Sequence, residues 1–414
     1  MSHQIEVAYV LHRFPTLTET FIAEEIRNVQ SQGVIVHLFS LLTPTAKVVH
    51  PVSAGLVAQV HYAPKIFSYS LLWAQLHFLQ IKPRRYIQLL WKLLSEPAPE
   101  FNFILKRLVI FLKGVWIAKQ LEGSSTQLVH THFAWLSAAA GMVIGKLLDL
   151  PFTITAHAYD IYSHKSDLLV LTSTLSDRVV TISDYNKETI LNKNISLNPN
   201  HIEVIHCGID LDLFKKSNDR PSNQVFQIIS VGSLIEKKGH EYLIKACREL
   251  ITHGLNFECR IVGEGNLGHR LLSLIQELAL ESKVNLVGGQ CQTWVRDRLN
   301  LSDIFVLGCV IDETGERDGI PVAMMEALAM EVPVVSTPVS GIPELIQHNE
   351  TGLLVTQKDP IALAEAIIRL AKDEPLRSKL AKNGRVLVER EYDIRENACQ
   401  LAGLFQQVIK EHSE

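Results

Sequence analysis

The chain has 414 residues, 47% of them hydrophobic and 20% charged, with a formal net charge of −4. That length exceeds what one hydrophobic core usually holds and that composition excludes a disordered chain, so two globular domains are expected. So small a net charge gives no global argument for nucleic-acid binding, and no uncharged apolar run reaches the roughly 20 residues of a membrane span.

The opening MSHQIEVAYVLHRFP lacks a basic region, a long apolar core and a small-residue cleavage site, and so reads as no signal peptide. Six cysteines (Cys207, Cys247, Cys259, Cys291, Cys309, Cys399) are scattered, with no close pair at metal-ligand spacing. Buried free thiols in a reducing compartment are expected, in a soluble or peripheral protein with no metal site.

The chain begins as a βαβ unit. Residues 5–11 read as an apolar strand, Pro15 as a loop, and Phe21 to Gln30 as a helix capped by Thr18 or Thr20, with Glu24 and Glu25 in its first turns. Gly33 ends that helix and Val34 to Leu42 supply a second strand, a pattern that favours a parallel sheet covered by helices. The turn after the first strand, LHRFPTLTETF, contains no glycine and so is not a dinucleotide fingerprint. Its threonines and amides suit a phosphate or an acceptor, or a plain helix cap.

Residues 65–119 differ in character. Phe67, Trp73, Phe78, Trp91, Phe103, Phe111 and Trp116 are interleaved with Lys82, Arg84, Arg85, Lys92, Lys106, Arg107, Lys113 and Lys119, and only Glu96 and Glu100 are acidic. Apolar helices with basic edges suit an anionic lipid surface, and a pair of core-packing helices whose basic residues are solvated fits the stretch equally.

Strand and helix alternation returns with a strand Leu128 to His130, a helix Trp135 to Leu148 and a strand Phe152 to Ala156. The last places His157 and Asp160 at its carboxyl end, where open parallel sheets bind ligands. A short strand Arg178 to Ser183, a helix after Asn186, and IHCGID, with Gly208 in a turn and Asp210 as a cap, close the first domain. The polar stretch Lys215 to Gln224, KKSNDRPSNQ, reads as the linker.

The second domain opens on a buried strand, Val225 to Val231, followed by GSLIEKKG. Gly232 permits a tight turn, and Gly239 starts a helix whose free amides, beside Lys238, would face a diphosphate. A strand Cys259 to Val262 runs into Gly263, Gly265 and Gly268, a G-x-G-x-x-G before a helix. Alone this is a dinucleotide fingerprint, but the acid that should end the following strand is replaced by glycine in KVNLVGG.

After a strand Ser302 to Leu307 comes ERDGIPVAMMEALAMEVPVVSTPVSGIP, Glu316 to Pro343. It reads as a loop loosened by Gly319, Pro321 at a first-turn position, a helix Val322 to Ala329, a strand Val332 to Ser336 and a glycine turn. Asp318 and Glu326 bracket the helix start; eight helical rises would set them about 12 Å apart, the span from a transferred sugar across a diphosphate to a ribose. A short helix at Gly341 to Glu344, the strand TGLLV, helices from Ile361 and Pro375, and an amphipathic helix Ile394 to His412 complete the chain.

An acid, seven residues and a glutamate around G-I-P resembles the signature of the retaining GT-B glycosyltransferases of family 4. F-P-x-x-x-E-T-F at Phe14 to Phe21 resembles the opening loop of members linked to extracellular polysaccharide synthesis. His157, IHCGID, Lys238 and VGEG also match, and His130 and His132 fit the family spacing as well as they fit buried structural histidines. The resemblance implies an α/β, GT-B fold: two Rossmann-like domains facing a central cleft. Residues 1–217 would form the acceptor side, 218–393 the nucleotide-sugar side, and the helix at about 394–414 would pack back on the first.

By the same resemblance, Asp318 and the backbone of Gly319, Ile320 and Pro321 hold the transferred sugar, Glu326 grips the ribose, and His157 contacts the donor sugar. Gly232, Ser233 and Lys238 meet the diphosphate, Gly263 and Gly265 belong to the donor site, and the loop Gly288 to Thr293 meets the base. Asp318 stands where the family usually has Glu, with Glu316 close by. Ser233 stands where it commonly has Arg, leaving Lys237 or Arg317 to supply that charge.

The implied activity is cofactor-free and metal-independent transfer from a nucleotide-sugar, a UDP-sugar first of all, to a saccharide or lipid-linked saccharide. It implies a cytoplasmic protein, and the basic apolar stretch 65–119 makes the inner face of the plasma membrane a candidate surface. A nucleotide-sugar epimerase or hydrolase, a non-catalytic nucleotide-sugar-binding protein and, from the glycine triplet alone, an NAD-dependent dehydrogenase are the rival readings.

Overall fold

Strands and helices alternate as the βαβ opening requires. In the computed structural model, which describes residues 4–16, 19–44, 51–98, 100–163, 168–217 and 225–414, the first half runs β1 (Glu6–Arg13), α1 (Thr20–Ser31), β2 (Ile35–Leu42), α2 (Pro51–Val57), β3 (Val60–Tyr62), α3 (Tyr69–Ile81), α4 (Pro83–Ser95) and α5 (Phe101–Leu121). It continues through β4 (Leu128–His132), α6 (Leu136–Leu148), β5 (Phe152–Ala156), α7 (Tyr159–Tyr162), α8 (Leu169–Leu175), β6 (Arg178–Thr181), α9 (Asp184–Lys193) and β7 (Ile202–Val204).

The second half runs β8 (Phe226–Val231), α10 (His240–Thr252), β9 (Phe257–Val262), α11 (Gly268–Glu277), β10 (Val284–Gly288), α12 (Gln292–Asn300) and β11 (Ile304–Val306). Then come α13 (Val322–Ala329), β12 (Val334–Ser336), α14 (Ile342–Leu345), β13 (Gly352–Leu354), α15 (Pro360–Lys372), α16 (Glu374–Glu391) and α17 (Ile394–Ser413).

Two sheets result, ordered β3-β2-β1-β4-β5-β6-β7 and β10-β9-β8-β11-β12-β13, with every pairing parallel. Parallel strands are covered on both faces, which is why β4 and β5 are buried at every residue and read as apolar runs rather than alternating ones. The chain divides into two units, residues 1–206 with 394–414, and residues 207–393. The division falls before the expected linker because Ile209 and Phe214 are core residues of the second unit, and the Ile209 N–H donates to the Tyr392 carbonyl at 2.9 Å. Within the expected linker, residues 218–224 lie outside the described residues.

In the first unit, α6 sits unusually close to its neighbours. A Cβ on Gly141 would lie 2.5 Å from Thr131 Cγ2, and one on Gly114 of α5 would lie 3.3 Å from the Ala140 backbone. Small residues therefore set the helix against both β4 and α5. At the other face, α17 places Ala398, Leu401, Ala402, Phe405 and Val408 in one core with Val7, Tyr9, Ile22 and Ile26, the helical spacing that its amphipathic sequence predicts.

Two local expectations need correction. Thr20 is the first residue of α1 and not its cap; Glu19 holds the cap position without a side-chain cap bond, and its carboxylate accepts from Thr16 Oγ1 at 3.0 Å. Thr18 lies outside the described residues. The apolar stretch after residue 65 forms three helices, not a pair: Pro83, which has no N–H to donate, opens α4 at its first position and breaks it from α3.

Candidate active site

Each sheet has one place where the strand order reverses, and there the loops leaving two adjacent strands diverge to opposite faces. In the second unit that place lies between β8 and β11. The loop after β8 carries Gly232 to Lys238, and the loop after β11 carries Leu307 to Pro321.

The two loops are bound together. The Val310 N–H donates to the Lys237 carbonyl at 2.9 Å. Gly239, at φ +67°, approaches Gly308 so closely that a Cβ would lie 1.8 Å from its carbonyl oxygen. Ser336 and Thr337, at the end of β12, donate their hydroxyls to the carbonyls of Leu307 and Cys309. Asp312 Oδ1 folds the outer turn by accepting the N–H groups of Thr314 and Glu316, each at 2.9 Å.

This scaffold brings Lys238 and Asp318 into contact: Nζ to Oδ2 is 2.8 Å, and Lys237 Nζ stands 3.5 Å from Oδ1. The side chains of Lys237, Lys238 and Asp318 are only 16, 15 and 13% exposed. Burial alone would raise the Asp318 pKa, but the two lysine charges outweigh it and hold the carboxyl below its usual range. Burial likewise opposes the Lys238 charge, and Asp318 more than compensates, so its pKa is raised. Both groups are therefore ionised at neutral pH. Cys309, fully buried beside them, has its S–H 3.7 Å from Asp318 Oδ2, and burial with the Asp318 charge keeps it a thiol.

Gly319, Ile320 and Pro321 are buried and lead into α13. Pro321 occupies the cap position, so the helix begins at Val322. The interval from Asp318 to Glu326 is thus half loop, and eight helical rises do not measure it. Glu326 lies inside α13, 9% exposed, with Gln292 Nε2 at 3.4 Å as its hydrogen-bond donor. Burial pushes its carboxyl up to about 7, against the effect of that hydrogen bond.

The glycine triplet has a structural explanation. A Cβ on Gly263, at φ +148°, would lie 2.0 Å from the Gly232 carbonyl oxygen, and one on Gly265 would lie 2.4 Å from that of Leu234. These glycines let the turn after β9 press against the backbone of Gly232 to Leu234, and Ser233 is held between them. Arg317 Nε donates to the Gly315 carbonyl, whereas Lys237 stands at Asp318. Of the two candidate replacements for the family's arginine, Lys237 is the one beside the carboxylate.

In the first unit the strand order reverses between β1 and β4. There a cavity of about 280 Å³ is lined by residues that include His12, Arg13, Glu19, His132, Trp135 and Tyr159. Among the described residues His12 Nδ1 has no hydrogen-bond partner, and burial, with Arg13 nearby, holds that imidazole down at about 4, neutral at physiological pH.

His157 follows β5 and is 5% exposed, its ring between Phe21 and Phe133. Asp160 fixes its backbone by accepting the N–H groups of His157 and Ala134 at 3.0 and 2.6 Å. Its Nε2 lies 3.0 Å from His132 Nδ1, and His132 Nε2 lies 3.0 Å from Glu25 Oε1, which also accepts from Tyr9. A carboxylate can only accept, so Glu25 places a hydrogen on His132 Nε2. His132 Nδ1 and His157 Nε2 share one hydrogen, so the tautomer of each ring is tied to the other, and His157 Nδ1 takes no part in this chain of bonds.

Glu25, His130 and His132 are also the one group among the described residues whose donor atoms cluster as metal ligands do, all within 4.8 Å. Each is engaged in hydrogen bonds: His130 Nδ1 with Thr153 at 2.8 Å and Nε2 with Thr155 at 3.2 Å, the others as above.

The structure thus joins Lys238 to Asp318 and Gly232 to Gly263, and holds His157 in the other unit. The contacts of Lys237 and Cys309 with Asp318, of Gln292 with Glu326, and of Glu25 through His132 with His157 are ones that sequence reading did not give, because each crosses to a different strand or loop.

Two families match the chain: Glycosyltransferase Family 4 over residues 18–213 and Glycosyl transferases group 1 over residues 213–387. The chain is 27% identical to the putative colanic acid biosynthesis glycosyltransferase WcaL of Salmonella typhimurium, over 98% of this chain and 100% of the relative. It is 38% identical to the amylovoran biosynthesis glycosyltransferase AmsK of Erwinia amylovora, over 50% of this chain and 51% of the relative. Among solved structures, a glycosyltransferase of Rickettsia africae superposes with a TM-score of 0.74 at 18% identity, covering 99% of both chains. HepE of Anabaena, in complex with UDP and glucose, gives 0.73 at 15% identity, covering 97% of this chain and 100% of that one.

Proposed function

Because the chain belongs to the GT-B glycosyltransferases that join a family 4 half to a group 1 half, we propose that it transfers a sugar from a nucleotide diphosphate, UDP first of all, to a saccharide or lipid-linked saccharide. The pathway we assign is extracellular polysaccharide synthesis, in line with the relatives named for colanic acid and amylovoran biosynthesis. The observation that carries the reading is the Lys238–Asp318 contact at the switch point of the second sheet.

In this account the donor diphosphate takes Lys238 over from Asp318, and Lys237 supplies the second charge that Ser233 does not. Asp318, released from its lysine, and the Gly319 to Pro321 backbone then hold hydroxyls of the transferred sugar. Glu326 accepts from the ribose, and His157 offers Nδ1 to the donor sugar. The saccharide acceptor is assigned to the first unit's cavity, whose Trp135 and Tyr159 give it aromatic surface.

Transfer retains configuration. The bond from the anomeric carbon to the leaving phosphate oxygen breaks, the acceptor oxygen bonds the same face of that carbon, and the acceptor proton passes to the leaving oxygen. The lysine charges stabilise the diphosphate as it departs, so the reading requires no metal. Asp318 is assigned to hold the sugar's hydroxyls and not to attack the anomeric carbon. A reducing, cytoplasmic compartment suits the six free cysteines.

The test is incubation with UDP-, GDP- and ADP-sugars and a saccharide or lipid-linked acceptor pool, with the product's anomeric configuration read by proton NMR. Transfer with the donor's configuration supports the reading. An inverted product requires a different mechanism, and free sugar or an epimer formed without acceptor makes the chain a hydrolase or epimerase.

A further inference from the structure

Large apolar side chains are exposed most densely between Ile66 and Leu105. Phe67 is 100% exposed, Tyr69 80%, Trp91 74% and Phe101 71%. On α3, Tyr69, Leu72, Trp73, Leu76 and Leu79 recur every three or four residues and so share one exposed face, while Leu71, Ala74 and Phe78 are buried on the other. A helix apolar on both faces has one face more than the first unit's core covers. On α4, which packs on α3 and α5, the exposed face is Arg84, Ile87, Gln88, Trp91 and Lys92.

The charges at this surface divide into two groups. Arg107 and Lys113 are buried and donate to backbone carbonyls, Lys82 and Arg85 pair with Asp149, and Lys119 pairs with Glu122. These five basic residues are structural, which leaves Arg84, Lys92 and Lys106 of the eight to form a basic edge. Lys65, Arg84, Lys92 and Lys106 have no carboxylate partner among the described residues, and Lys106 stands over the Phe103 ring.

We propose that α3, α4 and the start of α5 dock the protein onto an anionic phospholipid surface. Trp73, Trp91 and Tyr69 would lie at head-group level, Leu72 and Leu76 beneath them, and the four unpaired cations on lipid phosphates. Charge selects this occupant over a second copy of the chain, since two such faces would bring like charges together. Among the described residues no helix is long and apolar enough to cross a membrane, so the contact is with the surface.

The inference rests on exposure and charge, independently of the donor site. The test is co-sedimentation of the full chain with vesicles of phosphatidylcholine alone and of phosphatidylcholine with phosphatidylglycerol, without nucleotide-sugar. The parent is expected to pellet with the anionic vesicles and to shift its tryptophan emission to the blue. Arg84→Gln with Lys92→Gln should weaken partition roughly thirtyfold, from about 1 kcal/mol per cation, and Trp73→Ser with Trp91→Ser should abolish the emission shift. These positions are on the surface, and unchanged thermal melting establishes that the variants fold. No binding by the parent, or binding that neither double variant alters, overturns the proposal. So does self-association of the parent that the tryptophan variant removes, which would give the face to a second copy.

Discussion

Lys238 Nζ stands 2.8 Å from Asp318 Oδ2, joining loops that leave adjacent strands at the switch point of the second sheet. With Lys237 at 3.5 Å from the other oxygen, the cluster holds two cations against one carboxylate. Asp318 favours the charged form of Lys238, and two lysines against one carboxylate leave a surplus positive charge at the site.

Asp318→Asn separates binding from chemistry. Removing the carboxylate leaves two partly buried lysines uncompensated and should cost about 2 kcal/mol of stability, below the 3–5 kcal/mol of a fully buried pair because these groups retain some exposure. UDP should bind as well as before or more tightly, whereas sugar transfer should fall about a hundredfold or more. Asp318→Glu, which keeps the charge, should retain most of the transfer. Titration of UDP and steady-state kinetics on both variants check this.

Glu326 gives a pH dependence with a defined sign. Burial raises its folded-state pKa from 4.5 to about 7, so between those values the folded protein binds more protons than the unfolded one. Its contribution to stability therefore falls as pH rises through that window. Glu326→Gln should stabilise the ligand-free protein above pH 7 by roughly 3 kcal/mol and confer no advantage below pH 4.5. Urea unfolding of parent and variant across that range measures the difference. Lost ribose binding in the stabilised variant would identify the penalty as one retained for function.

The glycine triplet can be tested as packing. Gly263→Ala forces a Cβ to within 2.0 Å of the Gly232 carbonyl oxygen at φ +148°, and should cost about 3 kcal/mol or prevent folding. Gly268→Ala meets nothing closer than Leu234 Cδ1 at 3.6 Å and should change stability by less than about 1 kcal/mol. Thermal melting of the two variants decides whether the first glycine, and not the third, is the constrained one.

In the proposed function Glu25 positions His157, acting through His132. In the parent, nitrogen NMR should find His157 neutral and in a single tautomer near neutral pH, its pKa held well below the usual value by burial and by His132. Glu25→Gln introduces an amide that donates as well as accepts, so both tautomers should appear and transfer should fall about tenfold. An unchanged His157 spectrum would show that the chain of hydrogen bonds does not set its tautomer.

What the sequence made legible was local. Helix Val322–Ala329 could be read residue for residue because good helix formers follow a proline, and Lys238 stood out by its place before Gly239. Lys237 and Cys309 as partners of Asp318 were not legible, since they meet it across a loop pairing that no local pattern records. The same holds for His132 on His157, which depends on the register that sets His132 beside Thr155 in β4 and β5. Arg107 and Lys113 misled because a charge in a sequence reads as solvated, whereas both are buried and bonded to carbonyls. The break between α3 and α4 was hidden by apolar residues that continue on either side of Pro83.

Calorimetric titration of UDP into the parent and into Lys238→Met at neutral pH tests most directly whether the Lys238 cluster receives the donor diphosphate. Loss of a charge-assisted contact worth about 2–3 kcal/mol predicts binding weakened some thirtyfold to a hundredfold or more. Equal affinity in the two proteins, or no binding of any nucleoside diphosphate by the parent, would contradict it.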